Sequence, residues 1–170
     1  GFGRLGTMFG SEYYSLRPDI ITIAKGLTSA YAPLSGSIFS NKVWKVLEQG
    51  TDELGPIGHG WTYSAHPIGA AAGVANLQLV DKMNLVSNAK EVGKYLLDEL
   101  KNAFDSHPLV GEVRGDGMLA SLEFLENKES LKFFDPAKKI GMQVSANLLK
   151  EGVIGRAMPH GDILGLAPPL

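Results

Sequence analysis

Asp19-Ile20-Ile21-Thr22-Ile23-Ala24-Lys25-Gly26 is the stretch on which the reading of the fold turns. It is a short β-branched apolar run bounded by Pro18 and Gly26, the pattern of a buried strand. Working outward, residues 1–18 read as loop with short turns. Pro33 to Phe39 is a second strand candidate. Ser40 then caps a helix from Asn41 to about Glu48, with Val43, Trp44 and Leu47 on one side. Gly50 to Thr62 carries no periodicity and reads as loop. From Pro67, Pro-Ile-Gly-Ala-Ala-Ala-Gly-Val-Ala-Asn-Leu-Gln-Leu-Val places small and apolar residues on nearly every side, which predicts a helix buried all round. Pro67 suits its first turn, and Ser64 is the nearby N-cap candidate.

Further on the pattern is different. Lys90 to Phe104 is amphipathic, with Val92, Leu96, Leu97, Leu100 and Phe104 expected on the inner face. Val110–Arg114 and Met118–Leu125 read as an antiparallel pair around Gly115-Asp116-Gly117. Asp135-Pro136 opens a helix running to about Glu151, where Gly152 stops it. Val153–Ala157 and Ile163–Ala167 are the last strands. The order predicts an α/β segment followed by an α+β segment, divided near residues 82–88, hence 1–84 and 85–170.

Composition narrows the function classes. Sixteen Lys+Arg against eighteen Asp+Glu give a net charge of −2, with 44% hydrophobic and 20% charged residues. Those values exclude a disordered tail and a basic nucleic-acid arm. No run reaches the roughly 18 apolar residues of a membrane span, and no apolar signal core opens the chain. A cytoplasmic protein is expected, and the ends read as cut from a longer one. The chain has 21 Gly and no Cys. No cysteine means no disulfide and no thiolate chemistry; many glycines suggest tight turns and close backbone approaches, as around a ligand.

Several motifs reduce to plainer readings. Gly1-Phe2-Gly3-Arg4-Leu5-Gly6 matches G-x-G-x-x-G and Asp19 follows, but the required strand and packed helix do not flank it, so it reads as a Gly-rich loop. Arg114-Gly115-Asp116 reads as hairpin chemistry. His59, His66, His107 and His160 have no second ligand at helical spacing, so no metal is expected. No Gly-x-Ser-x-Gly elbow supports a hydrolase. Lys25 is different. At the carboxyl end of an α/β strand it stands where such folds bind ligands, and partial desolvation there would favour the free amine that attacks a carbonyl. On spacing alone, a lysine that ends a strand and points to water is the stronger reading. The segment His59 to Ser64, Thr62 included, leads into a helix N-terminus suited to an anion; ordinary N-capping explains it equally well. Arg156 suits a bidentate pair with a carboxylate, or a structural pair with Asp162.

Taken in register, four segments point one way. Gly-Phe-Gly-Arg-Leu-Gly-Thr-Met-Phe-Gly, Pro-Asp-Ile-Ile-Thr-Ile-Ala-Lys-Gly-Leu, Tyr-Ala-Pro-Leu-Ser-Gly and Gly-His-Gly-Trp-Thr-Tyr-Ser-Ala-His-Pro resemble the class III pyridoxal-phosphate aminotransferases. The resemblance runs through Val-Arg-Gly-Asp-Gly-Met-Leu to the terminal Pro-Pro-Leu, essentially the whole chain. It implies the aminotransferase fold type I, with part of a large, mainly parallel sheet domain followed by part of a small C-terminal α+β domain. It makes Lys25 the lysine that holds pyridoxal 5'-phosphate as a Schiff base and then shuttles a proton. Thr62 corresponds to the threonine that reaches the cofactor phosphate of the neighbouring subunit, in a homodimer or a tetramer of dimers. Arg156 occupies the place of an arginine that pairs with an α-keto acid carboxylate in the ω-amino acid–pyruvate branch. That pattern leans toward an ω-amine or ω-amino acid donor, with pyruvate as acceptor.

Leu5 departs from the family's usual threonine, a change expected to touch packing. The family's pyridine-nitrogen aspartate, phosphate loop and ring-stacking aromatic fall before Gly1, so the 170 residues alone are expected to be inactive. The alternatives are an ornithine-type aminotransferase, an aminomutase or decarboxylase of the same family, or a non-catalytic module that binds an anion or a partner.

Overall fold

The computed structural model describes residues 1–170 and divides into two compact units, Gly1–Phe2 with Met8–Leu85, and Gly3–Thr7 with Val86–Leu170. No helix is long and apolar enough to cross a membrane.

The first unit opens with a short helix, α1 (Gly10–Tyr13), followed by strands β1 (Ile20–Ile23) and β2 (Gly36–Phe39). These two pair antiparallel, Ile20 opposite Phe39 and Ile23 opposite Gly36. Helix α2 (Asn41–Leu54) starts where Ser40 Oγ accepts from the Val43 amide at 3.4 Å. Ser40 also donates to Asp19 at 2.9 Å, and Lys42 reaches the other carboxylate oxygen at 3.2 Å. The Ser40 hydroxyl first, and then Lys42, hold the Asp19 carboxyl below its usual range. Asp19 thus serves a helix start rather than a ribose. The expected stop at Gly50 does not occur: the helix runs on to Leu54 and ends at Gly55, whose φ is +88°. A helical glycine costs only about 1 kcal/mol relative to alanine. The next turn is tied by Gln49 to Glu53 at 2.9 Å and by Thr51 Oγ1 to the Leu47 carbonyl at 2.9 Å.

Helix α3 (Pro67–Lys82) corrects a second expectation. It was expected to be buried on all sides, yet it buries only Gly69, Gly73 and Val80. These lie at helical spacing on one face, while Ile68 and Val74 on other faces are exposed. The buried face lies against the segment after β1: a side-chain carbon at Gly73 would stand 3.0 Å from Leu34 and 3.8 Å from the Leu27 carbonyl. Ser64 is not its N-cap. His66 holds that position, and Ser64 Oγ instead accepts from the Trp61 amide at 3.1 Å.

The second unit is an antiparallel sheet in the order β3-β4-β6-β5, formed by β3 (Val110–Asp116), β4 (Leu119–Phe124), β5 (Arg156–Ala157) and β6 (Ile163–Leu166). Alternation along β4 buries Ala120, Leu122 and Phe124 and turns Ser121 and Glu123 outward. Val110, Val113, Leu122, Phe124 and Leu164 form the core. Leu97, Leu100 and Phe104 of α4 (Leu85–Phe104) and Val144 and Leu148 of α5 (Ile140–Lys150) cover it. Val92 was expected among them but is 40% exposed. The inner stripe instead passes through Ala89 and Gly93, because the backbone comes too close there for a branched side chain.

The hairpin turn is shorter and lies later than expected: β3 extends two residues further and β4 starts one residue later. Gly115 and Asp116 stay in β3, and the loop is Gly117-Met118, with Gly117 at φ +53°, suited to a primed turn. The helix expected from Pro136 is interrupted: a short 3₁₀ turn (Pro136–Lys138) ends at Lys139 in the left-handed region before α5 begins.

Beyond β4, Glu126 lies between Lys132 at 2.5 Å and Lys138 at 3.0 Å, which pushes its carboxyl down to about 2. The lowered value means this pairing stabilises the fold above the ordinary pKa of 4.5 and is lost as pH falls toward 2. An NMR titration of the Glu126 carboxyl should therefore show a midpoint far below 4.5. Replacing Lys132 and Lys138 with Met should return it to the ordinary range.

Candidate active site

Lys25 follows β1 after a single residue, Ala24, and opens a 3₁₀ turn, Lys25–Leu27. Its φ is +53°, and Ser29 and Ala30 lie at +48° and +64°. Left-handed backbone is uncommon outside glycine and persists where surrounding structure enforces it. The turn is closed internally by Leu27 N to Ala24 O at 3.2 Å, Thr28 N to Lys25 O at 3.1 Å and Thr28 Oγ1 to Ala32 O at 2.6 Å. Gly26 lies flat on Phe2, where a side-chain carbon would be 3.2 Å from the Phe2 Cβ. Phe2 is braced edge-on by Phe9 at 5.5 Å. The Lys25 side chain is exposed and its Nζ makes no hydrogen bond or ion pair. The desolvation expected around it is thus not supplied by residues of this chain.

Thr62 lies in the turn between Trp61 and the N-cap residue His66, with its hydroxyl exposed and unengaged. The turn is fastened by Ser64 and by an edge-on His59–Trp61 contact at 4.7 Å. Lys25 and Thr62 belong to the same unit, and no hydrogen bond joins them.

Arg156 belongs to the other unit. It stands in β5, exposed, opposite Gly165. The structural pairing with Asp162 does not form: Asp162 Oδ1 accepts from the Gly141 amide at 2.9 Å instead. The other arginines of this unit are engaged. Arg4 donates to the Met118 and Pro168 carbonyls at 3.1 and 2.8 Å. Arg114 bridges Glu112 at 2.5 Å and Glu123 at 2.6 Å, which also accounts for the Arg-Gly-Asp tripeptide as hairpin structure. Arg156 alone of these three keeps its guanidinium free. A groove of about 230 Å³ between Met142, Ser145, Leu149 and Ile154 is apolar and contains none of the three candidate residues.

The sequence reading missed Asn76. Its side-chain amide donates to the Gly26 carbonyl at 2.9 Å and the Leu27 carbonyl at 3.2 Å, and its oxygen accepts from Ser29 Oγ at 2.6 Å. The signal was present: Asn76 is a polar residue on the same helical face as Gly69, Gly73 and Val80.

The family model for aminotransferase class-III matches residues 1–170. Over 170 residues the chain is 59% identical to a diaminobutyrate–2-oxoglutarate transaminase of Halomonas elongata, covering all of this chain and 36% of that protein. It is 41% identical to a putrescine–pyruvate aminotransferase of Pseudomonas aeruginosa, again covering 36% of the relative. A solved transaminase from directed evolution by ancestral reconstruction superposes with a TM-score of 0.96 at 62% identity, over 99% of this chain and 37% of that one. The chain thus spans about a third of the length of these proteins and has the α/β fold of the corresponding part of a solved transaminase. It belongs to the class III aminotransferase family.

Proposed function

We propose that this chain is the lysine-bearing part of a pyridoxal 5'-phosphate-dependent aminotransferase that moves an amino group from an ω-amino acid or amine to an α-keto acid such as pyruvate. The observation that carries this reading is the free Nζ of Lys25, set at the end of β1 on a left-handed backbone fastened by Thr28 and Asn76. The residues suit the cofactor chemically: a primary amine for its aldehyde, and a hydroxyl for its phosphate. When bound, the cofactor supplies a ring that withdraws electrons from the substrate carbon. Lys25 would hold the cofactor through its Nζ, with the aldehyde oxygen leaving as water, and its free amine would carry the proton that moves to and from the substrate carbon. The Thr62 hydroxyl would donate a hydrogen bond to the cofactor phosphate held by the neighbouring subunit, so the reading includes a homodimer. The exposure of Tyr31, Trp61 and Tyr63 supports a surface of that kind. Residues 1–84 then belong to the large cofactor-binding domain and 85–170 to the small domain.

Arg156 receives the acceptor's carboxylate. Its guanidinium is free, so binding breaks no existing bond. A hydrogen-bonded charge pair of this kind contributes about 1.5–3 kcal/mol. In the full-length enzyme, Arg156→Ala should therefore lower kcat/KM for pyruvate by roughly 10- to 100-fold. The half-reaction with a plain amine such as propylamine should change little. An equal loss in both would remove Arg156 from the carboxylate role. The name of the Halomonas relative favours 2-oxoglutarate as a second acceptor, and comparing both keto acids in the same assay decides between them.

A further inference from the structure

The loop after Lys25 holds Lys25, Ser29 and Ala30 at positive φ without a glycine at any of the three. Its internal hydrogen bonds close the turn but do not fix it to the rest of the unit. The carbonyls at its end point toward helix α3, where Gly73 leaves room for the Leu27 carbonyl to approach. Asn76 lies three residues further along, on the same face. Its amide nitrogen bridges the Gly26 and Leu27 carbonyls, and the Ser29 hydroxyl donates to its oxygen. Both carbonyls can only accept, so the amide has one orientation that satisfies all three partners. No other side chain from outside the loop hydrogen-bonds to it.

We infer that Asn76 is a positioning residue for Lys25: by clamping the Gly26 and Leu27 carbonyls and the Ser29 hydroxyl to α3, it fixes the direction in which Nζ projects. The inference rests on the proposed role of Lys25. The clamp joins a rigid helix to a strained loop, so losing it frees the loop to relax and shifts Nζ by an amount that matters. A displacement of about 1 Å at a reacting group can cost on the order of a hundredfold in rate.

Asn76→Leu keeps the branching at Cγ and removes the amide. Asn76 is half-buried, so Ser29→Ala serves as a second variant: Ser29 is exposed and its loss removes only the bond that orients the amide. In the full-length apoenzyme, hydrogen exchange at the amides of Thr28 to Tyr31 should quicken by about tenfold in Asn76→Leu and less in Ser29→Ala, with the sheet of the second unit unchanged. In the holoenzyme, the visible circular dichroism of the bound cofactor should change sign or intensity. The kcat should fall by roughly 10- to 100-fold while KM for the amino donor stays within about threefold. Wild-type exchange, dichroism and kcat in whichever of the two variants folds would overturn the inference. Lys25→Ala is run alongside. If it abolishes the cofactor's visible band while the Asn76 and Ser29 variants behave as wild type, the positioning role fails alone. If the band survives Lys25→Ala, the role of Lys25 and the inference fail together.

Discussion

In the full-length enzyme, Lys25→Ala is expected to abolish the visible absorption of the lysine-bound cofactor and to lower turnover by about 10⁴-fold. Two losses combine. The covalent tether goes with the amine, and so does the group that carries the proton at the substrate carbon, which by itself is worth about 10²- to 10⁴-fold. Folding should survive the change. Lys25 already carries a Cβ at φ +53°, so alanine adds no backbone strain, and the side chain it removes has no partner. Lys25→Arg should be equally inactive: it keeps the positive charge, but a guanidinium stays protonated and is a poor nucleophile. A small added amine should restore part of the proton transfer in Lys25→Ala and none of the covalent attachment. A visible band that persists unchanged in Lys25→Ala would remove Lys25 from the Schiff-base role.

Much of the fold was legible because local chemistry and tertiary packing agree. The Ser40 cap and the alternation of β4 each say the same thing at both levels. Ile20–Ile23 forms the expected strand but is not buried: β2 is its one partner strand, and Ile20 is 52% exposed. The departures occur where partners distant in sequence decide. Val92 fits a 3.6-residue apolar pattern, but the hairpin turn comes too close to α4 for a branched residue, so the stripe shifts to Ala89 and Gly93. Helix α3 looks uniformly apolar, yet the only face this chain covers is the one lined by small residues. Of the candidate site, Lys25 stands out in the sequence only through the family resemblance, since its place after a strand favours a solvent-pointing lysine; its left-handed backbone and the Asn76 clamp depend on α3 packing on the loop. The opening Gly1-Phe2-Gly3-Arg4-Leu5-Gly6 reads from sequence only as a Gly-rich loop. In the structure, Gly6 meets Lys90 and Gly3 meets Val86 and Leu170, so their smallness serves backbone packing.

That packing carries the largest expected effect on stability. A side-chain carbon added at Gly93 of α4 would overlap the Gly117 backbone, standing 2.6 Å from its Cα. Neither side of the contact is a flexible side chain that can swing away. The turn cannot retreat either. Gly117 itself is packed against Arg4 and Leu5, with its own missing carbon 2.6 Å from the Leu5 Cα. The same segment is tied to the turn by Met118 N donating to the Arg4 carbonyl at 2.8 Å and by Arg4 Nη1 to the Met118 carbonyl at 3.1 Å. Gly6 presses the segment onto α4, where a carbon would be 2.7 Å from the Lys90 Cβ. Three backbones therefore meet through Gly93, Gly117 and Gly6, and an added methyl group has to lift α4. Lifting α4 draws Leu97, Leu100 and Phe104 off the sheet core. Gly93→Ala is expected to cost about 3 kcal/mol, the upper end of ordinary overpacking, despite alanine being the better helix former. Gly50→Ala supplies the opposite sign: its added carbon meets nothing within 4 Å on α2, so stability should rise by about 0.5–1 kcal/mol. Urea unfolding of the apoenzyme reads both. A Gly93→Ala midpoint equal to that of the parent would show that α4 and the hairpin turn do not meet backbone to backbone.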